Sequence, residues 1–169
     1  MKKIRVGLVG LGLALKPHAL ALRDLADKVE VVGGFSPSPA RRSEFAAAWR
    51  WPVVDSFRAL CEDRHIDVLF LLTPPRTHTE LAVAAAHAGK HVLLEKPMAV
   101  DLAQATALVD AVKRCDRTLA IVFQHRFRPG ARALRELLRS GALGELVGVS
   151  TSIRWWRSAE YFAHNRGVA

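Results

Sequence analysis

The 169-residue sequence predicts an α/β fold, a doubly wound parallel sheet followed by the start of a second α/β unit. Three observations predict it. Short apolar, β-type runs alternate with longer amphipathic or Ala-rich runs, a pattern that builds βαβ units with right-handed crossovers and helices on both faces of the sheet. A Gly-x-Gly turn follows the first apolar run directly. After Phe127 the alternation gives way to a basic helix and a longer run of mixed character.

Taken in order, Ile4–Val9 is the first strand, and Val9-Gly10-Leu11-Gly12 turns the chain toward a helix over 17–26. A strand over 29–33, a helix over 39–50, a short strand at Val53-Val54 and a helix over 56–63 come next. The strand at 68–72 is stopped by Pro74-Pro75, which leaves a loop at the carboxyl edge of the sheet. A helix over 77–88 closes at Gly89, the next strand is His91–Leu94, and Asp101 is placed to cap a helix over 102–114 before a strand at 119–123. Pro129 opens the basic helix, Gly141 and Gly144 break it, and residues 145–154 read as a further strand. The expected division is therefore a domain over 1–123 and the linker helix and first strand of an incomplete domain over 124–169.

Composition narrows the function classes. Half of the residues are hydrophobic and 24% are charged, enough for one good core. The net charge is +9, and the last 50 positions carry 8 basic residues against 3 acidic ones. That tail contains no nucleic-acid module, so a solvated or interface-facing basic surface is preferred over a nucleic-acid partner. Cys61 and Cys115 have neither metal-ligand spacing nor a pairing pattern, so no metal site is expected and a reducing, cytoplasmic compartment is the default. Lys2 and Lys3 precede an apolar stretch, as in a signal peptide, yet Arg5 interrupts it. No apolar run reaches 18 residues, so no membrane partner is expected.

Two segments carry chemistry. The glycines after the first strand let the backbone approach a pyrophosphate, whose charge the next helix's N-terminus stabilises, although such turns also serve packing alone. At the end of the fourth long strand, Glu95-Lys96-Pro97 delivers an amine to the edge where open α/β sheets bind ligands. Lys96 can there donate or relay a proton to a substrate oxygen, and Glu95 can orient or balance it. A surface ion pair at a strand end is the plain alternative.

Leu72-Thr73-Pro74 with His78, and then Ala88 through Ala99 containing Glu95-Lys96-Pro97, closely resemble the signature of the Gfo/Idh/MocA family of nicotinamide-dependent sugar and polyol oxidoreductases. The resemblance extends back to Val9-Gly10-Leu11-Gly12 with His18 and forward to Gln124-His125-Arg126-Phe127-Arg128-Pro129 and the run 140–145. It implies a Rossmann domain, then an α/β domain on a mostly antiparallel sheet that forms the substrate side and often a homo-oligomer interface. By position it assigns Gly10, Gly12, Leu13, Ser36, Arg41, Thr73, Pro74, His78, Glu95, Lys96, Pro97 and Arg126 to the cofactor. It makes Lys96 the catalytic lysine, with a cis bond to Pro97. Lys96, Arg157 and Tyr161 are its substrate residues, Trp155-Trp156-Arg157 and Tyr161-Phe162 leading toward the substrate. For His18 and His78 a packing or capping role is the plain reading, and for Arg126 a structural link between domains is the alternative.

Two positions depart from the pattern. Leu15 occupies the third glycine position, and Ser36 stands where an acidic residue would accept hydrogen bonds from the adenosine ribose. Without that carboxylate, and with Arg41 and Arg42 one turn further on, NADP is the expected cofactor ahead of NAD. The family's glycine-rich segment and histidine-bearing helix would lie beyond Ala169, so the sequence reads as an amino-terminal part, inactive alone. The expected reaction is hydride transfer between nicotinamide and a sugar or cyclitol carbinol carbon. A non-catalytic dinucleotide-binding regulatory module is the alternative.

Overall fold

A computed structural model describes residues 2–160. By its internal contacts the chain divides into a unit ending at Val122 and one beginning at Phe123. In the first, five parallel strands, β1 (Ile4–Val9), β2 (Val29–Phe35), β3 (Val68–Leu71), β4 (His91–Leu94) and β5 (Leu119–Ile121), lie in the order β2-β1-β3-β4-β5. The strand expected at Val53-Val54 is reduced to a single parallel bridge from Val53 to Gly34 on the outer side of β2. Counting that rung, the spatial order becomes 3-2-1-4-5-6, the arrangement of dinucleotide-binding doubly wound sheets.

Period-two alternation along the strands sorts side chains to the two faces. Val6 and Leu8 pack with Leu15, Ala19 and Leu22 of α1 (Leu15–Asp24) and Phe45 of α2 (Pro39–Trp49). Val9, Leu69, Leu71, Val92 and Leu94 pack with Leu60 of α3 (Phe57–Glu62), Ala82 and Ala85 of α4 (His78–His87) and Leu108 and Val112 of α5 (Leu102–Arg114). Each fully buried leucine here stabilises the fold by about 1.5–3 kcal/mol. Helix α1 starts two residues earlier than expected, because Pro17 falls in its first turn, where the missing N–H has no helical partner to lose.

Asp101 and Gly89 act at the helix ends as read, and two serines not singled out in the sequence do the same work. Ser38, Ser56 and Asp101 each accept a hydrogen bond from a first-turn amide of α2, α3 and α5. Gly89 closes α4 at φ +78°, in open space. In the second unit, a short 3-10 turn (Gln124–Phe127) leads to α6 (Pro129–Arg139). The strand expected over 145–154 does not form: no described segment pairs with it, and an extended run without a partner has no ladder to satisfy its amides and carbonyls.

Candidate functional site

The turn after β1 is pressed against the loop after β3. The Gly10 amide donates to the Phe35 carbonyl at 2.9 Å and the Leu72 amide to the Val9 carbonyl at 2.7 Å, so the ends of three strands are tied together. Gly10 has φ +95°, and a Cβ on it would fall 2.8 Å from the Leu72 carbonyl carbon and oxygen and 2.9 Å from the Thr73 nitrogen. Only glycine fits. β1 and β3 are neighbours whose following segments leave toward opposite faces, which opens a crevice at their carboxyl ends. Leu13, on the rim of this turn, is 89% exposed, whereas Leu15 is buried in the α1 core. Leu15 therefore fills the third glycine position as a packing residue, with Ala19 fully buried in the same core. No side chain caps the N-terminus of α1 and no acidic residue lies in its first turn, which suits an anion.

At the end of β2, Ser36 is buried and its Oγ accepts from the Ser38 amide at 3.4 Å. The two arginines beyond it divide their work. Arg42 Nη1 donates to the Ser36 carbonyl at 2.6 Å and fixes the loop, while Arg41 brings Nη1 to 3.4 Å from where a Gly12 Cβ would stand. Arg41, exposed, thus lies over the glycine turn.

On the other side of the crevice, Thr73 and Pro74 shape the loop after β3, with Thr77 Oγ1 donating to the Pro74 carbonyl at 2.9 Å. His78 is fully buried behind this loop. Its Nε2 lies 2.8 Å from the Thr73 carbonyl and its Nδ1 2.8 Å from the Pro97 carbonyl. Any part His78 takes is therefore through the two loops it joins and not by direct contact.

Glu95, Lys96 and Pro97 follow β4, and the Lys96-Pro97 bond is cis. Lys96 is exposed. The Glu95 carboxylate accepts from His18 Nε2 at 2.7 Å and from the Lys96 amide at 3.0 Å. The expected partnership of Glu95 with the Lys96 side chain is replaced by one with His18, on α1 and 77 residues away. Phe70 of β3 meets the His18 ring edge-on at 6.1 Å between centroids. Reading the chain locally could not find this pair, since its only signal is that both residues follow strand ends facing the same crevice.

The crevice thus assembles Gly10, Gly12, Leu13, Ser36, Arg41, Thr73, Pro74, Glu95, Lys96 and Pro97 at one edge of the first unit. Arg126 and Arg157 belong to the second unit. There Arg126 lies in the 3-10 turn, and the Arg157 guanidinium stacks 3.8 Å over the Trp155 ring and donates to the Trp156 carbonyl at 3.2 Å. Tyr161 lies outside the described residues. Among the described residues no group of three or more His, Cys, Asp or Glu side chains is placed to hold a metal, and no helix is long and apolar enough to cross a membrane. Away from the crevice, at the amino ends of β1 and β3, Arg5 holds the Asp67 carboxyl below the usual carboxylate range, chiefly through a side-chain hydrogen bond.

Residues 4–123 match the profile of GFO_IDH_MocA, the oxidoreductase family with an NAD-binding Rossmann fold. The chain belongs to this family. It is 32% identical over 161 residues to a levoglucosan dehydrogenase of Pseudarthrobacter phenanthrenivorans, covering 87% of this chain and 40% of that protein. It is 31% identical over 153 residues to an inositol 2-dehydrogenase of Rhizobium meliloti, covering 89% of this chain and 45% of the relative. Among solved structures, the WlbA dehydrogenase from Bordetella pertussis, in complex with NADH and UDP-GlcNAcA, superposes with a TM-score of 0.93 at 30% identity. That match covers 98% of this chain and 50% of the other. The family member described here spans less than half the length of these two curated relatives.

Proposed function

We propose that this chain is the dinucleotide-binding part of an NAD(P)-dependent oxidoreductase that moves a hydride between nicotinamide and a sugar or cyclitol carbinol carbon. The observation that carries the reading is the wedge of Gly10 against Leu72 and Thr73, a cradle that any Cβ would fill, with Lys96 presented two strands away on the same edge. The relatives named for levoglucosan and inositol support the substrate class.

Gly10, Gly12 and Leu13 would hold the pyrophosphate against the uncapped start of α1, and Thr73, Pro74 and Pro97 would line the path toward the reacting ring. The nicotinamide, when bound, supplies or accepts the hydride. Lys96 holds the proton that passes to or from the substrate oxygen, on a turn that Glu95 stiffens by accepting the Lys96 amide. Arg126, Arg157 and Tyr161 are the second unit's proposed contributions. Where turnover of a sugar or cyclitol is followed, Lys96→Ala lowers it about 10²- to 10⁴-fold with little change in cofactor affinity. A loss of only a few-fold would reject the assignment, and dinucleotide binding without turnover even beside a supplied second domain would favour a regulatory module.

The cofactor reading within this proposal is NADP. Ser36 places no carboxylate against a 2′-phosphate, and Arg41 over the glycine turn can pair with it. Calorimetric titration should give tighter binding of NADP than of NAD, and Arg41→Ala should erase about tenfold of that preference. Equal or tighter binding of NAD by the unaltered protein would reject it.

A further inference from the structure

We infer that His18 is a positioning residue that couples the glycine turn to the lysine turn through Glu95. The inference rests on the dinucleotide reading above and adds a residue to it. His18 stands in the second turn of α1, the helix whose start faces the glycine turn, while Glu95 begins the segment after β4. β3 lies between β1 and β4, so the two turns are two strand spacings apart, about 10 Å. A direct contact between them is out of reach for the main chain. The His18–Glu95 bond closes that gap at 2.7 Å, with both side chains largely buried at 12% and 14% exposure.

Each end of the bond is itself held. The edge-on contact with Phe70, from the strand that separates the two turns, restricts the imidazole ring. The carboxylate places its second oxygen on the Lys96 amide at 3.0 Å, so its orientation fixes where the Lys96-Pro97 segment begins. Without His18, Oε1 of Glu95 is left partly buried and unpartnered, and the carboxylate gains by rotating to water. That rotation gives up the Lys96 amide bond. The adenosine and pyrophosphate contacts at Gly10, Gly12 and Arg41 rest on other bonds and stay as they are. The consequence is confined to the nicotinamide half.

Two probes separate the halves: ADP-ribose carrying a 2′-phosphate, which lacks the nicotinamide ring, and NADPH. Titration of the chain with each, in wild type, His18→Asn and His18→Gln, tests the coupling. Asparagine keeps a polar side chain but sets its amide too short to reach Glu95, whereas the glutamine amide nitrogen matches the position of Nε2. His18→Asn should weaken NADPH about tenfold and leave the ADP-ribose probe within twofold, and His18→Gln should recover most of the loss. Parallel loss of both probes, an unchanged NADPH affinity, or no recovery with glutamine would each overturn the positioning role. If the wild-type chain binds neither probe, the dinucleotide reading itself fails, an outcome distinct from the three that reject His18 alone.

Discussion

Gly10→Ala is the most demanding perturbation of the crevice. Two costs add at this position. The backbone sits at φ +95°, which an alanine adopts at a cost of about 1–2 kcal/mol. The new Cβ would also stand 2.8 Å from main-chain atoms of Leu72, which cannot move aside as a flexible side chain could, and overpacking of that kind costs about 1–3 kcal/mol. Together they amount to about 2–5 kcal/mol, a large share of the 5–15 kcal/mol that typically holds a domain. Gly89→Ala supplies the control, since Gly89 has φ +78° and a Cβ there meets nothing within 4 Å. It pays the backbone cost alone, about 1–2 kcal/mol. Thermal unfolding followed by far-ultraviolet circular dichroism should therefore place Gly10→Ala on the order of 10 °C below wild type and Gly89→Ala about 5 °C below it. A Gly10→Ala melt no lower than that of Gly89→Ala would refute the wedge between the two turns.

Two further predictions concern the scaffold. Lys90 is 5% exposed and its Nζ donates to the Asp63 carbonyl at 2.6 Å and the Ile66 carbonyl at 3.0 Å. Lys90→Met keeps the stem but removes the donor to the Ile66 carbonyl and leaves the Asp63 carbonyl with the Ile66 amide alone, so urea denaturation should show a loss of about 1–3 kcal/mol, and an unchanged midpoint would contradict the buried contacts. Because Asp67 is held below its ordinary range in the folded chain by Arg5, the pair stabilises above about pH 4 and the benefit is lost as pH falls through the folded value. With Asp67 38% exposed at its side chain, solvent screening keeps the effect under about 1 kcal/mol, and Asp67→Asn should remove that part of the difference between urea midpoints at pH 6 and pH 3.

What the sequence revealed was local. Gly89 and Asp101 act within a few residues of themselves, so their identity and spacing were enough to place helix ends. The glycine turn and Lys96 were legible because strand ends in such sheets gather at one edge. The His18–Glu95 bond, the Arg42 contact with the Ser36 carbonyl and the burial of Lys90 were not legible, because each depends on which loops the fold brings side by side. The opposite error arose at 145–154. Alternating apolar residues there describe a strand's faces but supply no neighbour to pair with.

The lone Val53 rung also bears on self-association. Along the outer side of β2, the Gly34 amide is taken by the Pro52 carbonyl at 3.0 Å and the Gly34 carbonyl by the Val54 amide at 3.1 Å. Pro52 has no N–H of its own to offer an incoming strand, and Glu30 keeps an exposed charge further along the same strand. The irregularity between Val6 and Gly7 in the pairing of β1 with β2 interrupts the regular register of this margin. A second copy of the chain meets a blunted border here instead of an open template, so the sheet is guarded against growing sideways into a fibre at the flank from which the loop carrying Ser36 and Arg41 departs.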